Sequence, residues 1–98
     1  DGSVRNAYDI RLRNMHNEPR QFFLTVADNP SIRLTIEGVP GQLVTVLPDT
    51  QLNQRIYLTA PSGTEPSRAA QTPVRIWASV TGDTVRIFGE TVFNGRGQ

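Results

Sequence analysis

The stretch VRIWASV at residues 74–80 alternates apolar and polar side chains, and its apolar parity consists of Val74, Ile76, Ala78 and Val80. Successive side chains of a β-strand point to opposite faces of the sheet, so this stretch predicts a strand with one buried and one wetted face. Trp77 is the exception, because it is large and apolar but falls on the face that should be wet. This one strand therefore indicates a β-sheet protein, and its exception, Trp77, marks the first candidate for a functional residue.

A hairpin is predicted immediately after this strand. Gly82-Asp83 is typical of a two-residue loop, and the run that follows it, residues 84–93, reads as the returning strand. A two-residue loop fixes the register of the two strands, residue by residue. The predicted core-face pairs are Val80 with Val85, Ala78 with Ile87, and Ile76 with Gly89. The predicted outer-face pairs are Arg75 with Glu90, Trp77 with Phe88, and Ser79 with Arg86.

The outer face of this hairpin carries the candidate functional residues. Protein interfaces favour Trp and Arg at their centres. We therefore predict a protein-contact patch that consists of Arg75, Trp77, Arg86 and Phe88. The alternative is that a loop or the N-terminal segment simply covers the aromatic pair, which would itself stabilise the sheet by about 0.5–1 kcal/mol.

The same period-two alternation recurs in four more runs, at residues 8–12, 22–26, 32–36 and 56–60. Turn-forming residues separate the runs, and one helical turn is predicted near Ser67–Ala70. Seven short strands in about a hundred residues favour an all-β, immunoglobulin-like sandwich, with an antiparallel barrel as the alternative. The predicted strands are Val4–Arg13, Gln21–Ala27, Ser31–Glu37, Leu43–Leu47, Asn53–Ala60, Pro73–Thr81 and Thr84–Phe93.

Composition excludes several classes of function. The 98 residues make one domain, and ten Arg against nine acidic residues give a net charge of +1. The arginines are interspersed with acids, so no nucleic-acid partner is expected. There is no cysteine, which rules out disulfides and Cys-ligated iron–sulfur or zinc sites within the chain. No apolar run reaches the length of a membrane span. The chain opens on Asp1 instead of Met, and we expect it to be a piece of a larger protein.

No catalytic constellation is recognisable. The only histidine, His16, lies in a polar loop, and no Gly-x-Ser-x-Gly motif accompanies it. The acidic residues are scattered over turns and outward strand positions, so no carboxylate pair is predicted. We expect a domain without enzymatic activity, small-molecule substrate or cofactor. The rival hypothesis is a copper-binding module, because Met15 and His16 offer a thioether and an imidazole side by side.

The chain resembles the C-terminal immunoglobulin-like domain of the FixG/CcoG family. Four segments carry the resemblance: VRNAYDIRLRN at residues 4–14, FFLTV at 22–26, IYLTAP at 56–61 and ETVFNG at 90–95. Together they span nearly the whole chain.

The resemblance implies a context that the residues themselves do not provide. Proteins of this family are bacterial inner-membrane proteins with a ferredoxin-like iron–sulfur segment, linked to nitrogen fixation and to maturation of a haem–copper oxidase, including copper handling. The domain is then expected at the C-terminal end of its parent, on the periplasmic side, where it contacts or positions another protein. Iron–sulfur clusters are expected in the parent alone, and no family functional residue maps onto this chain. A surface or adhesion sandwich unrelated to redox proteins is the remaining alternative.

Overall fold

The computed structural model describes residues 2–26, 29–81 and 86–97, without the side chains of Ile87 and Phe88. The described residues form seven strands and one helical turn. In chain order these are β1 (Val4–Asn14), β2 (Arg20–Val26), β3 (Arg33–Ile36), β4 (Leu43–Val46), β5 (Thr50–Ala60), α1 (Glu65–Arg68), β6 (Gln71–Val80) and β7 (Arg86–Asn94). The helical turn is far too short to cross a membrane, and no other helix is seen in the described ranges.

Two antiparallel sheets pack face to face. One has the strand order β1-β5-β3 and the other the order β4-β2-β6-β7. In the first sheet β1 pairs with β5 along its whole length, from Val4 opposite Ala60 to Asn14 opposite Thr50. In the second sheet, β6 lies between β2 and β7. The immunoglobulin-like sandwich is thereby confirmed, with three strands facing four.

The core lies between the sheets and consists of the residues of one parity, as the alternation predicted. Leu24, Ile56, Leu58, Ala60 and Phe93 are completely buried. The remaining inward positions are buried or partly buried against them. In β4 the second and fourth residues, Val44 and Val46, are the buried ones and face the core. Full burial of one Leu or Phe side chain stabilises the fold by about 1.5–3 kcal/mol, so the core supplies most of the driving force for folding.

Several predicted boundaries need correction. β5 begins at Thr50 instead of Asn53, because its first residues extend the ladder to the end of β1. β6 begins at Gln71, and its Pro73 is accommodated opposite Val92. The helical turn occupies Glu65–Arg68, two residues earlier than predicted, since Pro66 sits in its first turn, where no N–H is needed.

Some predictions fall on residues outside the described ranges. These are the end of the second strand at Ala27, the Gly82-Asp83 loop, the start of the seventh strand at Thr84, and the pairing of Val80 with Val85.

The β1 side of the sandwich is closed at one end by side-chain hydrogen bonds between the sheets. Asn6 donates from Nδ2 to the carbonyl of Asn94 (3.0 Å) and accepts from its N–H (3.0 Å). The Tyr8 hydroxyl donates to the carbonyl of Val92 (2.8 Å). β1 and β7 are edge strands of different sheets, so these bonds satisfy backbone groups that a sheet edge would leave unpaired.

Candidate functional site

The predicted hairpin register is confirmed wherever the chain is described. Ser79 pairs with Arg86, Trp77 with Phe88, and Arg75 with Glu90. Val74 and Ala78 are buried on the inner face, so the alternate residues Arg75 and Trp77 point outward from the four-stranded sheet. Three residues of the predicted patch, Arg75, Trp77 and Arg86, are thereby brought together on one outer face, and the backbone of Phe88 lies alongside.

Trp77 lies half-buried on this face and does not enter the core. The Arg86 guanidinium sits over its ring, 5.0 Å from the ring centroid. A cation over an aromatic ring stabilises the pair by about 0.5–1 kcal/mol at an exposed site. The contact fixes a flat, amphipathic surface made of a large ring and a charged group.

Two further apolar residues of the same face were missed by the sequence analysis. Phe23 on β2 is 40% exposed and Leu43 on β4 is 44% exposed, and the two are register partners. Phe23 also pairs with Ser79, which makes it a diagonal neighbour of Trp77 on the same face. The sequence does place Phe23 on the solvent-facing side of its strand, because it follows the buried Phe22. Its position beside Trp77 could be recognised only from the pairing of β2 with β6. We call Phe23, Leu43, Arg75, Trp77 and Arg86 the outer patch.

The outer face of the three-stranded sheet is polar and internally paired. Arg55 donates from Nε to Asp9 (3.0 Å), and Tyr57 donates its hydroxyl to Glu37 (2.6 Å). Arg5 lies over the Tyr57 ring at 4.6 Å from the centroid. These side chains are largely exposed, so the pairs contribute little to stability. This sheet therefore presents a charged, solvated surface, in contrast to the outer patch.

We expect Tyr57 to ionise above the ordinary pKa of tyrosine. Its hydrogen bond to the Glu37 carboxylate raises the pKa from 10.0, and burial raises it further. The fold therefore favours the neutral phenol. The contribution of this group to folding stability is complete at pH values below the pKa of tyrosine in the unfolded chain, and it is lost as pH rises through the higher pKa of the folded state. Glu37→Gln should lower the pKa of Tyr57 towards about 10. The measurement is an ultraviolet tyrosinate titration.

Tyr8 provides the control in that titration. Burial raises its pKa without a carboxylate partner, so Glu37→Gln should leave it unchanged. Tyr57→Phe would identify which transition belongs to which ring. Equal shifts of both tyrosines would contradict the assigned contact.

A groove of about 320 Å³ opens between β1 and β7, beyond the point where Tyr8 closes the sandwich. Apolar side chains of both sheets form its floor, among them Ile10, Leu24 and Ile76. The β7 wall includes Gly89, an inward position opposite Ile76 that has no side chain to fill the space. The groove is therefore a place where the two sheets do not close over the core.

Met15 and His16 lie on an exposed loop, as predicted. Met15 is 74% exposed, and the loop is held by Asn14 Oδ1, which accepts from the N–H of His16 (3.0 Å). Across the described ranges, no three His, Cys, Asp or Glu residues come together in a group that could hold a metal ion.

Comparison with known proteins identifies the family. The model of the IG-like fold at the C-terminal of FixG, a putative oxidoreductase, matches residues 1–96. The chain belongs to this FixG C-terminal family. Relatives include Protein RdxB of Cereibacter sphaeroides, which is 39% identical over 97 residues and covers 99% of this chain. Protein RdxA of the same bacterium is 47% identical over 76 residues, or 78% of this chain. The nitrogen fixation protein FixG of Rhizobium meliloti is 37% identical over 68 residues, or 64% of this chain.

The matched chain spans only part of these FixG-family relatives: 20% of RdxB, 16% of RdxA and 13% of FixG. A crystal structure of a FixG-related protein from Vibrio parahaemolyticus superposes with a TM-score of 0.79 and covers 97% of this chain and 82% of that one. At 21% sequence identity, this likeness supports the fold alone. The FixG family membership confirms the resemblance seen in the sequence.

Proposed function

We propose that this chain is the non-catalytic contact domain of a FixG-like redox accessory protein, and that it engages a protein partner through the outer patch. The parent is a membrane-bound iron–sulfur protein that acts in nitrogen-fixation-linked respiration and in maturation of a haem–copper oxidase. The domain lies on the periplasmic face of the inner membrane. The chain contains no cysteine, so Cys-ligated clusters belong to the rest of the parent.

The outer patch is the observation that carries this proposal. It combines two exposed apolar side chains with a Trp–Arg pair on the flat face of a four-stranded sheet. Aromatic and Arg side chains are enriched at the centres of protein interfaces, and contiguous exposed apolar groups mark contact surfaces. The opposite outer face offers paired charges instead, which favours the four-stranded sheet as the contact side.

The test uses the complete parent protein in its bacterial membrane. Phe23→Ser and Arg86→Glu remove the exposed ring and invert the charge of the patch. Each should cost about 1–2 kcal/mol of contact free energy, or roughly fivefold to thirtyfold in partner affinity. The readout is haem–copper oxidase activity of the membranes, with the amount and the iron–sulfur content of the parent measured in parallel.

Arg33→Glu is the matched control for Arg86→Glu. Arg33 is exposed on β3, on the other sheet, and undergoes the same change of charge. It should leave oxidase activity unchanged. Equal activity of both charge variants, or a loss that follows the iron–sulfur content of the parent, would overturn the proposal.

A further inference from the structure

We propose that β1 pairs, edge to edge and antiparallel, with β1 of a second copy of this chain, with Asp9 opposite Arg11 of the other copy. This surface is separate from the outer patch, and it does not depend on the proposed function. Three features support it: the hydrogen-bonding parity of the β1 edge, the order of charges along it, and the groove behind it.

The backbone of β1 presents a regular free edge. Glu37 donates its N–H to the carbonyl of Arg55 (3.0 Å), so the odd residues of β5 face β3 and the even residues face β1. The β1–β5 register pairs even with even. The N–H and C=O groups of the odd β1 residues, including Asp9 and Arg11, therefore point away from β5. Within the described part of the chain, β5 is the sheet neighbour of β1.

The order of charges favours this register over its neighbours in a symmetric pair. With Asp9 opposite Arg11 of the second copy, two opposite-charge pairs form and no like charges meet. A shift by two residues brings Asp9 opposite Asp9 or Arg11 opposite Arg11. Opposite-charge pairs across an antiparallel ladder stabilise it, and like charges directly opposite each other destabilise it. Arg55 already holds Asp9 at 3.0 Å, but a carboxylate accepts several hydrogen bonds, so Arg11 of the second copy is accommodated.

The groove lies at the centre of this register. Ile10 falls on the two-fold axis, opposite Ile10 of the second copy, and its side chain lines the groove. The flanking inward residues are Tyr8 and Leu12, which line the same groove. In this register Tyr8 of one copy lies opposite Leu12 of the other. The pairing thus places apolar side chains over the opening that the two sheets leave beside Gly89.

A second copy fits these observations better than an acidic or a basic peptide does. The groove rim carries Asp9, Arg11 and Glu90, a mixed set of charges that favours no partner of a single sign. Mixed charge is self-complementary under a two-fold axis. A pairing of this length buries less than the roughly 1,200 Å² of a standard interface, so we expect a weak dimer populated at high protein concentration.

Cysteine cross-linking tests the register, since the chain contains no native cysteine. Ile10→Cys places two thiols on the axis, where Cα atoms of a non-hydrogen-bonded pair are about 4.5 Å apart, within disulfide range. Ala7→Cys is the matched control on the exposed parity of β1, because its two copies would be about 20 Å apart. Under mild oxidation we expect roughly ten times more covalent dimer from Ile10→Cys. Equal yields would overturn the register.

Charge exchange provides the second test and leaves the core untouched. Asp9→Arg and Arg11→Asp should each shift the sedimentation of the chain towards monomer, because each puts like charges together twice. An equimolar mixture of the two variants restores both opposite-charge pairs and should recover the dimer. Dimer formation that is unaffected by the single variants, or a mixture that stays monomeric, would exclude this pairing.

Discussion

Gly95→Ala is expected to lower the unfolding free energy by at least about 2 kcal/mol, which corresponds to a drop in Tm on the order of 10 °C. A Cβ at this position would run into the backbone carbonyl oxygens of Pro66 and Ala69, and would lie 3.0 Å from that of Ser67. All three belong to the helical turn α1 and its C-terminal cap, so the clash cannot be relieved by rotating a side chain. Either the end of β7 or the turn itself must move.

The movement would break further contacts at this junction. The N–H of Gly95 donates to the carbonyl of Ala70 (3.2 Å), and the N–H of Arg96 donates to the carbonyl of Ser67 (3.0 Å). Ser67 is completely buried, and its hydroxyl donates to the carbonyl of Thr64 (2.7 Å). Displacement of the turn would leave buried polar groups without partners, which adds to the cost of the clash. The predicted effect is therefore large for the addition of one methyl group.

Gly89→Ala is the matched control, because it adds the same methyl group within β7, six residues before Gly95. Among the described residues, no heavy atom outside Gly89 and its two chain neighbours lies within 4 Å of a Cβ built at Gly89. The substitution should therefore be neutral, or should stabilise the chain by about 0.4–1 kcal/mol through reduced freedom of the unfolded state. Thermal and urea unfolding of the two variants measure the difference. Similar stabilities for both would show that the approach of β7 to α1 is not tight.

The contrast between these glycines shows where sequence reasoning stops. Both lie in the predicted seventh-strand region or just after it, and nothing in their neighbours distinguishes them. Gly89 lies opposite Ile76 and borders open space. Gly95, in contrast, packs closely against the backbone of a turn about thirty residues earlier in the chain. Such contacts depend on how the sheets stack, and this is not encoded in a period of two.

The alternation was sufficient for the core, because the parity of a strand depends only on its own residues. It was also sufficient for the β6–β7 register, since a short loop fixes the pairing of neighbouring strands. It could not predict that β1 pairs with β5, or that β2 lies beside β6. These pairings join distant segments, and Phe23 and Leu43 were consequently not recognised as neighbours of Trp77. The free β1 edge was unreadable for the same reason.

Asn14→Ala is the second variant for which a large loss of stability is expected, about 3 kcal/mol. Asn14 ends β1 and is 2% exposed. Its Nδ2 donates to the carbonyls of Glu18 (2.9 Å) and Val46 (3.0 Å), while its Oδ1 accepts from the N–H of His16 (3.0 Å). Each bond contributes about 1 kcal/mol, and the loss of the bond to the buried carbonyl of Val46 also leaves that group unsatisfied. Unfolding in urea, monitored by Trp77 fluorescence, measures the effect.

Asn14→Asp separates the loss of hydrogen bonds from the loss of packing, because it keeps the shape of the side chain and removes the Nδ2 donor. At neutral pH a buried carboxylate would face two carbonyl oxygens, so the variant should be at least as unstable as Asn14→Ala. Burial would raise the pKa of the introduced carboxyl group above its unfolded value. The protonated form is then favoured by the fold, and the stability deficit relative to the parent chain should shrink as pH falls through that raised value.

Asn17→Ala is the control on the same loop, since Asn17 is exposed. Its stability should stay within about 0.5 kcal/mol of the parent chain. A stability deficit of Asn14→Asp that is independent of pH would mean that packing at the end of β1 matters more than the hydrogen bonds of Asn14.

The three hydrogen bonds of Asn14 connect β1, the loop after it and β4 through one side chain, and β4 belongs to the other sheet. The Asn at the end of the first strand is therefore expected to hold the two sheets together at this end of the sandwich.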